Sequence, residues 1–134
     1  MYPLIHLLAS LIFILALNFL ASFTAAQLII IFLSAILIDV DHWFIYVLKK
    51  KDFSTIRAYK WFIALDKIKK KPHFLCIFHT VEFFSLIALL SLKYQIFQFI
   101  LIGMAFHLVL DIIDGIITRQ ERPSSILYAI LKRK

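Results

Sequence analysis

Apolar residues run almost unbroken along four stretches of this chain, and the charged residues gather between and after them. From Met1 to Ile38 no residue is charged. About 20 apolar residues suffice to cross a bilayer, so this stretch predicts two spans, with the less apolar Asn18 to Thr24 as the turn between them. Two further apolar stretches, His73 to Leu92 and Tyr94 to Ile117, are parted by a hinge around Lys93. The pattern predicts an all-α membrane protein, a bundle of about four transmembrane helices near 3–21, 25–46, 73–92 and 94–117, in one integral membrane domain over 1–134. A secretory leader needs a basic start, which "MYPLIHLLAS" lacks.

Between spans two and three, the cytoplasmic basic linker at about 49–72 has a pattern of its own. Arg57, Lys60 and Lys67 follow one helical stripe, with Ile56, Tyr59, Phe62 and Ile63 largely on the other side. This predicts a basic amphipathic interfacial helix lying on an anionic membrane surface. The closing "ILYAILKRK" is too short to span and reads as part of a basic C-terminal tail over 118–134.

Composition agrees with the pattern: 63% of the 134 residues are hydrophobic, well above the ordinary share for a soluble domain. Nine of the fifteen Lys and Arg residues lie between Lys49 and Lys71 and five follow Ile117, which places both regions in the cytoplasm by the positive-inside rule. A multi-pass protein of the inner cell membrane with both termini cytoplasmic is expected. The net charge of +7 sits beside membrane segments without a DNA-binding motif, so the expected partners are membrane lipids and no nucleic acid. A lone cysteine, Cys76, excludes an intramolecular disulfide and a Cys-rich zinc site.

The acids change the picture most. Of eight Asp and Glu residues, only Asp52, Asp66 and Glu121 fall in evident loops; the other five lie in or at the ends of apolar spans. An Asp at the centre of a span costs roughly 2.5–3.5 kcal/mol on insertion scales, and these spans hold no Lys or Arg to offset it. Histidines accompany the acids instead. Asp39, Asp41 and His42 end span two, His79 and Glu82 start span three, and His107, Asp111 and Asp114 occupy the matching half of span four. Protonation of the buried carboxyls is one way to offset the cost; three segments that deliver nitrogen and oxygen donors to one depth favour the other, a bound cation.

Helical spacing places His107, Asp111 and Asp114 within about 60° of one another, and makes His79 and Glu82 neighbours. Asp39 and Asp41 diverge by about 200° in an intact helix, so either the helix ends there or only Asp39 and His42 share a face. Taken singly, His6 reads as a core or interfacial histidine, His73 as a surface one, and His107 with Asp111 equally well as a hydrogen-bonded pair between helices.

"ILIDVDH", "FHTVEF" and "GMAFHLVLD" together resemble the YdjM-like family of membrane-bound metal-dependent hydrolases, whose pattern runs from an early histidine through LPDxDH and TH[S/T] to GxxxHLxxD. His6 would match the early histidine, Asp39, Asp41 and His42 the second element, His79 and Thr80 the third, and Gly103, His107, Leu108 and Asp111 the fourth. The resemblance covers nearly the whole chain in order. It implies Asp39, Asp41, His42, His79, His107 and Asp111 as metal ligands, with His6 as a further one. Ile38 departs from the usual proline and so removes a helix breaker before Asp39. Asp114 stands where a threonine is common, and the family does not vouch for it as a ligand.

Imidazole and carboxylate without thiolate suit a divalent metal, Zn first and Mn or Fe after it, as one or two ions. Glu82 is the expected general base. The expected reaction is attack of metal-activated water on a phosphoester of a lipid or lipid-linked substrate at the cytoplasmic headgroups. Two other classes use the same polar cluster: a cation or proton transporter, and a non-enzymatic scaffold in which the cluster staples helices.

Overall fold

The computed structural model describes residues 3–66 and 76–118, and every regular element among them is helical. Helix α1 runs Pro3–Leu20, α2 Ala25–Leu37, α3 Val40–Lys50, α4 Thr55–Asp66, α5 Val81–Ser91 and α6 Gln95–Thr118, with a 3₁₀ turn at Ile77–His79. The basic tail beyond Thr118 and linker residues 67–75, with Lys67 and His73, lie outside the described residues.

Two helical stretches are long and apolar enough to cross a membrane: Ala25–Lys50, which joins α2 to α3, and Gln95–Asp114 within α6. Helix α1 is apolar but shorter, and α5 has only 11 residues, a rise of about 16 Å. The expected third span from residue 73 is therefore a much shorter helix. Its start is set by Thr80, whose hydroxyl accepts from the Phe83 amide at 3.3 Å and donates to the Ile77 carbonyl at 2.8 Å.

Helix α6 packs most extensively against α2, with α5 and α1 also on it. The close approach is made at Gly103, where a Cβ would collide with the Ile31 carbonyl oxygen and the Ser34 hydroxyl. A glycine facing small residues lets two helix backbones meet, which is how apolar helices associate where lipid offers no hydrophobic driving force. Phe13 of α1 stacks on Phe106 of α6 at 4.0 Å, and Ile38, Ile87 and Met104 form the buried apolar core between α2, α5 and α6.

The run from α2 to α3 is broken at Ile38–Asp39. There the Asp39 amide donates to Ile36 and the His42 amide to Asp39, both three residues back rather than four. Helix α3 then ends at Lys51, a left-handed residue at φ 53°, and a polar clasp ties it to α4. Asp52 accepts from the Arg57 guanidinium at 2.6 and 2.7 Å, from the Tyr46 hydroxyl at 2.5 Å and from the Ser54 amide at 3.1 Å. These donors, Arg57 foremost, hold its carboxyl well below the usual carboxylate range. On α4 itself, Ile56 and Tyr59 are exposed while Ala58 is buried.

Candidate metal centre

The polar residues of three segments meet where the α2–α3 break, the 3₁₀ turn and α6 come together, and α1 adds His6. Gly103 places α6 so that His107, one turn on, is fully buried with its Nδ1 2.7 Å from the Ala35 carbonyl oxygen. A carbonyl only accepts, so the neutral ring carries its proton on Nδ1 and its lone pair on Nε2. His79 is fixed in the same way, its Nδ1 3.0 Å from Asp41 Oδ2, which also accepts from the Phe78 amide at 3.2 Å. The two lone pairs face each other, Nε2 to Nε2, at 3.4 Å.

Carboxylates complete this arrangement. Asp39 Oδ1 lies 3.6 Å from His79 Nε2 and 3.5 Å from His107 Nε2. Asp111 Oδ2 lies 3.5 and 3.6 Å from the same two atoms. A tetrahedral Zn²⁺ held at about 2.0–2.2 Å by nitrogen and oxygen has donor–donor edges of about 3.3–3.6 Å, which the Asp39, His79 and His107 separations match, whereas Asp111 forms a set with His107 and His6. A backbone carbonyl on one imidazole and a carboxylate on the other are the outer-shell partners that orient metal-binding histidines.

Two further groups continue from this one. His6 stacks on His107 with ring centres 4.2 Å apart and puts its Nε2 3.5 Å from Asp111 Oδ1. The structure thus buries in the cluster a histidine that its sequence surroundings alone do not single out. In the other direction, His42 Nδ1 is 2.9 Å from Asp41 Oδ1 and His42 Nε2 3.7 Å from Cys76 Sγ. Donor atoms lie within 4.8 Å of one another in three sets: Asp39, His79 and His107; His6, His107 and Asp111; and Asp41, His42, Cys76 and His79.

The α2–α3 break resolves the placement of Asp39 and Asp41. Both reach the cluster, and they need not share a face because the His79 ring lies between them, Nε2 toward Asp39 and Nδ1 toward Asp41. Glu82 departs from the expectation of a helical face shared with His79. His79 ends the 3₁₀ turn, and Glu82 stands in the first turn of a separate helix, exposed and outside all three donor sets. Asp114 also lies outside them. Cys76, which no sequence motif marks as a ligand, belongs to one.

His107 is wholly buried and Asp111 nearly so, whereas the side chains of Asp39 and His42 are about 30% exposed, so the cluster opens on their side. No family model, curated protein or solved structure matches the chain.

Proposed function

We propose that the protein is a membrane-embedded, metal-dependent hydrolase that cleaves a phosphoester of a lipid or lipid-linked substrate at the cytoplasmic face. The observation that carries this reading is the pair of imidazole Nε2 atoms 3.4 Å apart, flanked by two carboxylates, with each Nδ1 turned to an oxygen acceptor. Asp39, His79 and His107 would hold the cation, with Asp111 Oδ2 3.5 and 3.6 Å from the two imidazoles. A divalent ion there activates water and stabilises the charge that develops on a phosphoester. His107 and Asp111 anchor the dry wall of the site, while Asp39 and His42 line its open side.

A substrate with a hydrocarbon part is favoured by an apolar cavity of about 170 Å³ lined by Leu37, Ile38, Phe78, Phe83, Ile100 and Met104. Ile38 and Phe78 adjoin Asp39 and His79 in sequence, which favours an amphiphile with its tail in the cavity and its ester near the cluster. The YdjM-like resemblance points the same way.

The topology we propose is four crossings with both termini in the cytoplasm. Helix α5 is short for a crossing, which then includes the irregular backbone before it. Within residues 76–80, the Phe78 amide is satisfied by Asp41 and the His79 and Thr80 amides by Cys76 and Ile77, which favours such a placement.

The test is release of headgroup phosphate from lipid phosphoesters by detergent-purified protein. Release that stops on chelation and returns with Zn²⁺ or Mn²⁺ is expected; metal-replete protein that cleaves none of them contradicts the assignment.

A further inference from the structure

Beyond the donors of the proposed centre, one group in the cluster has a different chemical character. Cys76 is the chain's only cysteine, and it precedes the 3₁₀ turn that presents His79. Its Sγ is 3.7 Å from His42 Nε2. A tetrahedral ion with nitrogen at about 2.0–2.1 Å and sulfur at about 2.3 Å separates those donors by about 3.5–3.6 Å, close to what is found.

Asp41 supplies the second, independent sign. It is 6% exposed, and its two oxygens have unequal surroundings. Oδ2 takes the His79 ring proton and the Phe78 amide. Oδ1 is buried without a hydrogen bond, and so is His42 Nδ1, although the two are 2.9 Å apart. The two meet as an ion-pair contact rather than an aligned hydrogen bond, with Asp39 Oδ1 also 3.4 Å from the same nitrogen, so Oδ1 keeps the capacity for another partner. A cation coordinated by Oδ1 would be that partner and would fix the neighbouring ring.

From this geometry we infer a second divalent-cation site formed by Asp41, His42 and Cys76, on the far side of His79 from the first. The inference rests on the reading that the inner cluster binds metal. Asp41 joins the two sites, coordinating the outer ion through Oδ1 while Oδ2 orients the imidazole that serves the inner one. A thiolate selects Zn²⁺ or Co²⁺ over Mg²⁺ or Mn²⁺, so the outer site is the more thiophilic of the two. Its carboxylate and thiolate together neutralise a divalent charge, as a low-dielectric position requires. Three protein donors and a partly exposed His42 leave a coordination position open, which suits an ion that meets the substrate.

The experiment is Co²⁺ titration of the full chain in detergent, read by metal content and by absorption. The wild type is expected to take up about two equivalents and to show a near-ultraviolet thiolate-to-cobalt charge-transfer band. Cys76→Ala should lose that band and one equivalent while retaining the visible d–d absorption of the inner ion; His107→Ala should do the reverse. One equivalent in the wild type without a charge-transfer band overturns the outer site and leaves the inner one standing, whereas no uptake at all overturns both. Alkylation of wild-type Cys76 by iodoacetamide gives an answer that does not depend on a variant folding. Bound Co²⁺ should slow it at least tenfold, and equal rates with and without metal would make Cys76 a free thiol paired with His42 and end the proposal.

Discussion

Two polar clusters sit about one helix α3 apart, and they are built on opposite plans. In the clasp around Asp52, both carboxylate oxygens receive donors, and the compensating positive charge is the guanidinium of Arg57. In the cluster around His79 and His107, histidine nitrogens and carboxylate oxygens from separate segments converge within 4.8 Å of one another in overlapping donor sets. The first is complete with protein atoms alone and reads as structure. The second gathers histidines and carboxylates at the spacing a metal ion uses, which marks it as a candidate binding site.

That contrast can be broken most severely at His107. His107→Ala removes a ligand shared by two of the sets and leaves the buried Ala35 carbonyl without its partner. We expect loss of bound metal and of hydrolysis by more than about 100-fold, with about 1–3 kcal/mol of stability lost besides. Arg57→Ala, on the other plan, should leave metal content unchanged.

Asp41→Asn tests the link between histidine and carboxylate. For the inner ion this is an outer-shell change, which should lower affinity about 10–100-fold, and competition with a chromophoric chelator measures it. Gly103→Ala attacks the scaffold instead. Its Cβ meets the Ile31 backbone, so α2 and α6 must part, at a cost of about 1–3 kcal/mol read as a lower thermal midpoint in detergent. Thr80→Ala removes the cap of α5 and should cost about 1 kcal/mol by the same measurement.

The smallest effect belongs to the clasp. Because the Asp52 carboxyl titrates below its ordinary range in the folded chain, its stabilisation is fully present above the unfolded value of about 3.9 and is lost as pH falls from there toward the folded value. Thermal midpoints of the wild type and Asp52→Asn should converge as pH is lowered through that window and stay apart, slightly, at neutrality.

The helices are legible in the apolar runs because length and composition set them, and on α6 the 100° spacing by itself places His107 and Asp111 on one face. Where helices break is not legible in the same way. With Ile38 in place of a proline, no residue before Asp39 announces the tightened turn that brings Asp39 and Asp41 to opposite edges of one imidazole. The third stretch reads as one apolar span from residue 73, yet Thr80 caps a helix that begins only at Val81. A threonine before "VEFF" is the available signal, and it separates Glu82 from His79. His6 and Cys76 need tertiary contacts, since each is a single polar residue in apolar surroundings until α1 and the 3₁₀ turn bring it against a histidine from another helix.

The central claim is that the inner cluster holds a divalent cation, and elemental analysis of detergent-purified protein tests it most directly. Wild-type protein is expected to carry at least about one equivalent of Zn, Mn or Fe, with His107→Ala and Asp111→Ala each clearly depleted. Equal metal content in all three proteins would contradict the account.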